Sequence, residues 1–185
     1  MPNIEIPADR DPMIYLWTER AGPIGGAAAK FSNTAYYAST LSPREFEIVR
    51  MRIAQINDCR VCQTFRAPRD VVGRFDENSV PEAVYEHVGD PSWSGFSDRE
   101  RLAMEFAERF AVDHVAMSED ASLWERLHAH FSDDELVELA CCAGAHLVNG
   151  RINRVFDVEG DCSIRPVIRF PEPAAASSSA SASAH

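Results

Sequence analysis

The stretch SPREFEIVRMRIAQINDCRVC, Ser42 to Cys62, holds a helix start, an apolar helical stripe and a cysteine pair. Ser42 followed three positions later by Glu45 is the capping-box pattern. The serine hydroxyl accepts from a backbone N–H of the first turn, and the glutamate reaches back to the serine's own N–H. Pro43 falls at the first helical position, where its missing N–H costs nothing. Phe46, Val49, Ile53 and Ile56 then recur at helical spacing and predict a helix from Pro43 to about Ile56. Asn57 and Asp58 read as a turn, with Asp58 the expected N-cap of a second helix beginning at Cys59. Both sulfurs would then stand near a helix start, where unpaired N–H groups and the helix dipole favour thiolate over thiol. Cys62 and Arg66 are four apart, so one helical face is expected to carry both and to bring a guanidinium near the sulfur.

The same start pattern recurs at Ser79–Glu82, Ser97–Glu100 and Ser132–Glu135. Leu102, Phe106 and Phe110 line one helical face with Ala103, Ala107 and Ala111, and Leu123 to Phe131 reads as a further helix entered from Ser118 to Asp120. Leu136 to Val148 is apolar almost all round, which predicts a central buried helix. Ala67–Gly73 and Gly89–Gly95 read as connections. In the first forty residues, Gly22 to Gly26 is expected to be a flexible break before a helix over Lys30 to Ser39. The best strand signal, Arg165 to Phe170, lies past the core between prolines. The expected fold class is therefore all-α. The expected organisation is an N-terminal extension over 1–40 packed on the core, a helical domain over 41–160, and a tail over 161–185, disordered from about 172.

A chain of 185 residues with 45% hydrophobic content can bury a full core without disulfide staples. Its formal charge of −11 would repel phosphate backbones and anionic lipid, so neither nucleic acid nor a membrane is an expected partner. MPNIEIPADR lacks a basic segment followed by an apolar run, and a cytoplasmic location is expected. Five cysteines are present: the Cys59–Cys62 pair, adjacent Cys141 and Cys142, and Cys162. In a reducing compartment such residues are more often catalytic, metal-binding or buried than structural disulfides. For zinc the pair is half a set, since neither Cys141 and Cys142 nor the scattered histidines supply a second spaced pair, so no metal is expected. A thioredoxin-like motif needs a preceding strand that these helical flanks do not offer. A helical dithiol enzyme is the third reading.

Glu47, eleven residues and then Cys-x-x-Cys, within REFEIVRMRIAQINDCRVC, resembles the carboxymuconolactone decarboxylase and alkylhydroperoxidase D-like (AhpD-like) superfamily. The similarity runs on through SGFSDRERLAMEFAERFAVD and HFSDDELVELACCAGAHLVNGRINRVF, covering most of 40–157. The resemblance implies an AhpD-like helical bundle, a homo-oligomer (trimer or hexamer) and no cofactor. It also implies a dithiol that reduces hydroperoxides and is itself reduced by a thiol or dithiol partner. Carried over, it makes Cys62 the peroxidatic residue, Cys59 the resolving and proton-donating one, and Glu47 a proton-relay carboxylate.

The family's peroxidase motif continues to a histidine four residues after the second cysteine, where this chain has Arg66, and another histidine often placed just before that cysteine is replaced by Val61. Arginine stays protonated and cannot pass a proton. Arg66 is therefore expected to stabilise a thiolate or bind a substrate anion, with Glu47 held in an ion pair to it. His146, in the apolar helix, is either a satisfied core histidine or a spatial substitute for the missing one. Cys141 and Cys142 are expected as small core side chains. Two alternatives stand beside the dithiol peroxidase. One is a decarboxylase-like lyase acting on a small carboxylated lactone, with Arg66 as carboxylate clamp; the other is a noncatalytic redox-sensing oligomer.

Overall fold

The computed structural model describes residues 2–71, 73 and 75–158; Cys162, the Arg165–Phe170 strand signal and the 161–185 tail lie outside them. Among the described residues all regular structure is helical. In chain order the helices are α1 (Pro12–Ile14), a π-helical segment (Tyr15–Arg20), α2 (Gly22–Ala38), α3 (Pro43–Ile56), α4 (Arg60–Thr64) and α5 (Ala67–Asp70). There follow α6 (Glu82–His87), α7 (Asp98–Val112), α8 (His114–Glu119), α9 (Ala121–His128) and α10 (Asp133–Phe156).

Capping chemistry starts α3, α7 and α10. Ser42, Ser97 and Ser132 each accept from the backbone N–H of the glutamate three residues on and receive its carboxylate in return, which satisfies two orphan donors at each helix start. Ser79 behaves differently. Pro81 is the N-cap of α6, and Ser79 makes no cap there. A residue before proline is pushed out of the helical region, so Val80 cannot open a helix and the start moves to Glu82.

α3 lies at the centre. Phe46, Val49 and Ile53 face one apolar cluster with Leu102, Phe106, Leu139 and Ala143, while Ile48, Met51 and Ala54 face a second with Val84, Tyr85, Val88 and Met104. α7 and α10 both pack against α3. The expectation that the Leu136–Val148 helix is the wholly buried one is corrected: Val137 and Val148 are 63% and 48% exposed, and Cys141 is exposed while Cys142 is buried. A helix apolar all round presents apolar side chains to every direction, and only one side of α10 meets α3.

Two further expectations give way. Gly22 to Gly26 is no break but the start of the continuous α2. Gly25 is needed there for close approach, because a Cβ would lie 2.5 Å from the Trp17 carbonyl oxygen and from the Ala21 Cβ. The end of α3 also departs from expectation. Asp58 takes the left-handed conformation, φ 50°, and the N–H groups of Asp58 and Cys59 return to the carbonyls of Gln55 and Ala54. That is a Schellman closure with an aspartate where glycine is usual, so Asp58 ends α3 rather than starting α4.

Asn57 secures this corner to α10: its side-chain amide donates to the carbonyls of His146, at 3.1 Å, and Leu147, at 3.3 Å. Gly150 makes room for it. An alanine there would sit inside van der Waals contact of the Asn57 amide nitrogen and 3.2 Å from its Cγ. Gly150→Ala is expected to cost about 1–3 kcal/mol through overpacking, read as a lower urea midpoint at unchanged slope.

Candidate functional site

The corner closed by Asp58 delivers Cys59 and Cys62 to one spot. Cys59, not Asp58, is the N-cap of α4, its sulfur accepting from the Cys62 N–H at 3.3 Å. The two cysteines are joined as a disulfide. Cys59 is fully buried, whereas Cys62 is part-exposed and packs against the α6-side cluster.

Beneath the pair lies a buried ion pair. Glu47 and Arg50, one helical turn apart on α3, have side chains 0% and 2% exposed. Arg50 Nε donates to Glu47 Oε1 at 2.6 Å and Arg50 Nη2 to Oε2 at 3.1 Å. Oε2 also accepts from the Ala67 N–H at 3.0 Å and the Tyr85 hydroxyl at 2.8 Å. On its other side Arg50 binds the cysteine loop: Nη1 donates to the Cys62 carbonyl at 2.6 Å and Nη2 to the Phe65 carbonyl at 2.8 Å. Burial opposes the Arg50 charge, but Glu47 outweighs it and holds the guanidinium protonated more firmly than usual. Burial and the neighbouring Glu47 carboxylate push the Tyr85 phenol well above its ordinary range, so its proton stays in the bond to Glu47.

The expected Glu47–Arg66 ion pair does not form. α4 ends at Thr64, and Arg66 is the N-cap of α5, so Cys62 and Arg66 do not share a helical face. Arg66 instead forks onto Glu82, with Nη2 to Oε1 at 2.5 Å, and its guanidinium lies 4.1 Å over the Tyr85 ring. It also donates to the carbonyls of Gln63 and Phe65. The hydrogen bond and charge of Arg66 hold the Glu82 carboxyl below its usual range, although burial works the other way. Glu47 has a nearer cation on its own helix.

His146 packs in the main apolar core, its ring edge-on to Tyr36 at 5.2 Å and to Phe46 at 5.9 Å between centroids. Its Nε2 is buried without a hydrogen-bond partner, so that atom bonds neither cysteine. Burial, helped by the Arg50 charge, lowers its pKa to about 3. Cys142 shares this region, and burial raises its thiol well above the usual range. Sequence reasoning missed Arg50 and Tyr85. The i, i+3 spacing of Glu47 and Arg50 was a usable signal for the first; nothing local marks Tyr85.

Among the described residues no three His, Cys, Asp or Glu side chains converge as metal ligands, and no helix is long and apolar enough to cross a membrane. No family model matches the chain. Over 128 residues it is 34% identical to the uncharacterized protein YnjA of Escherichia coli K12, a match covering 68% of this chain and 67% of YnjA. The chain belongs to the YnjA family. Its fold is also that of ATU0492 from Agrobacterium tumefaciens, a protein of unknown function provisionally named as the antioxidant defence protein AhpD. The TM-score is 0.63 at 19% identity, over 76% of this chain and 94% of that one. This YnjA-family chain therefore has the expected all-α, AhpD-like fold.

The depressed His146 pKa has a pH consequence. An unfolded histidine takes up a proton below about 6.5, whereas the folded one resists until about 3. Between these values the unfolded state binds more protons, so this residue makes stability fall as pH falls, by up to about 1.4 kcal/mol per pH unit. His146→Leu is expected to flatten that slope between pH 6 and pH 4 in urea titrations. An identical slope would mean that the folded histidine titrates normally.

Proposed function

We propose that the chain is a dithiol oxidoreductase that reduces hydroperoxides. The observation carrying this reading is the Cys59–Cys62 disulfide, in which Cys59 is a buried residue and Cys62 a part-exposed one. The Cys62 thiolate attacks the outer peroxide oxygen. The O–O bond breaks, Cys62 becomes a sulfenic acid, and the alkoxide leaves as the alcohol after taking a proton. Cys59 then attacks the Cys62 sulfur; its thiol proton departs with the hydroxyl as water, and the disulfide forms. An external thiol or dithiol returns two electrons and restores both thiols. In the oxidised geometry all four acceptor bonds of Glu47 go to Arg50, Ala67 and Tyr85, so a relay role requires it to exchange one of them. The exposed valines on α10 support a homo-oligomeric assembly, for which we propose a trimer or hexamer acting in the cytoplasm.

A stoichiometric dose of cumene hydroperoxide is expected to remove two free thiols rapidly from the reduced protein, and Cys62→Ser is expected to abolish that loss. Unchanged thiols in the wild type would sink the reading. Decarboxylation of a carboxylated lactone that survives Cys62→Ser would favour the lyase instead.

A second measurement concerns the position where the peroxidase motif has histidine. If the missing relay limits turnover, Arg66→His is expected to raise peroxide consumption by about tenfold or more, within the range of general acid–base catalysis. No gain in a folded variant would show that Arg66 is not the limiting departure.

A further inference from the structure

The positive charge expected at the dithiol was Arg66, yet that guanidinium is spent on Glu82 and the Tyr85 ring. A different cation touches the cysteine loop. Arg50 is buried, and four N–H···O bonds tie it at once to both Glu47 oxygens, to the Cys62 carbonyl and to the Phe65 carbonyl. The last two lie within and at the C-cap of α4, so the guanidinium fixes where Cys62 sits relative to α3. The planar fork of arginine suits this arrangement and the compact ammonium of lysine does not.

We propose that Arg50 is the positioning residue of the dithiol: through the Cys62 and Phe65 carbonyls it seats the cysteine loop, and with Glu47 it sets the charge that the Cys62 sulfur meets. The proposal rests on the dithiol reading but not on peroxide as the oxidant. Glu47, bonded also by Ala67 and Tyr85, offsets most of the Arg50 charge. Removing the anion leaves an uncompensated cation beside Cys62 and favours thiolate; removing the cation leaves the anion and favours thiol.

The test is the pH dependence of iodoacetamide alkylation of the dithiothreitol-reduced protein, with Cys62 followed by peptide mass mapping. Glu47→Gln is expected to lower the alkylation midpoint by about one pH unit, and Arg50→Met to raise it by a similar amount, a roughly tenfold slower reaction at pH 6. Arg66→Gln is expected to move it less than either. Arg50→Met strands a buried carboxylate; should it fail to fold, Arg50→Lys and Glu47→Gln carry the test. Lysine keeps the charge and loses the fork, so its midpoint is expected near wild type while disulfide closure by oxidised glutathione slows several-fold.

A merely structural role would lower the melting temperature in these variants without moving the midpoint. A fixed midpoint in Glu47→Gln, or a larger shift in Arg66→Gln, would overturn the proposal. If the midpoints move as expected in a protein that consumes no peroxide, the positioning role stands and the peroxidase reading falls. If peroxide is consumed and the midpoints stay fixed, the reverse holds.

Discussion

The Glu47–Arg50 pair is the constraint on which the rest of this structure hangs. Two opposite charges on the central helix of an apolar core would each cost several kcal/mol to bury alone. They are tolerated because they meet in a two-pronged bond and because further partners complete them. Those partners come from three separate places: Ala67 opens α5, Tyr85 belongs to α6, and the Cys62 and Phe65 carbonyls lie in and just after α4. The pair therefore dictates where these short elements sit. α4, α5 and α6 are five, four and six residues long, too short to be stable by themselves, and a buried charge that demands partners gives them a fixed seat. Breaking such a pair from one side typically costs about 3–5 kcal/mol.

The cysteine corner inherits its asymmetry from this arrangement. Asp58 turns the chain through a left-handed residue at the end of α3, which sinks Cys59 against the core and leaves Cys62 at the edge of the second apolar cluster. Charges then alternate from the surface inward: exposed Glu82, Arg66 over the face of Tyr85, the Tyr85 hydroxyl on Glu47, and Arg50 on the Cys62 carbonyl. Tyr85 is the junction between the outer ion pair and the inner one.

Much of the helical skeleton was legible. Ser42, Ser97 and Ser132 opened helices where their capping boxes lay, and the Phe46, Val49 and Ile53 stripe lies in the main core as its spacing predicted. Ser79 failed because Pro81 two positions on forbids a helical Val80. The reading of α10 as the buried centre failed for another reason. Average apolarity favoured α10 over α3, but α3 hides Glu47 and Arg50 by pairing them with each other, so a helix with buried Arg and Glu is more central than one lined with valine.

By itself the sequence determined the all-α class, the helix starts, and the placing of Cys59 and Cys62 at a corner after a capped helix. These depend on contacts within three or four residues, which the chain spells out in order. Only the tertiary structure decided which cation serves which anion. Glu47 pairs with Arg50 and Arg66 with Glu82, while His146 packs between Tyr36 and Phe46. That choice turns on which groups folding strips of water together: an ionisable side chain must find its partner among whatever the packed helices bring alongside, and spacing along the chain does not specify those neighbours.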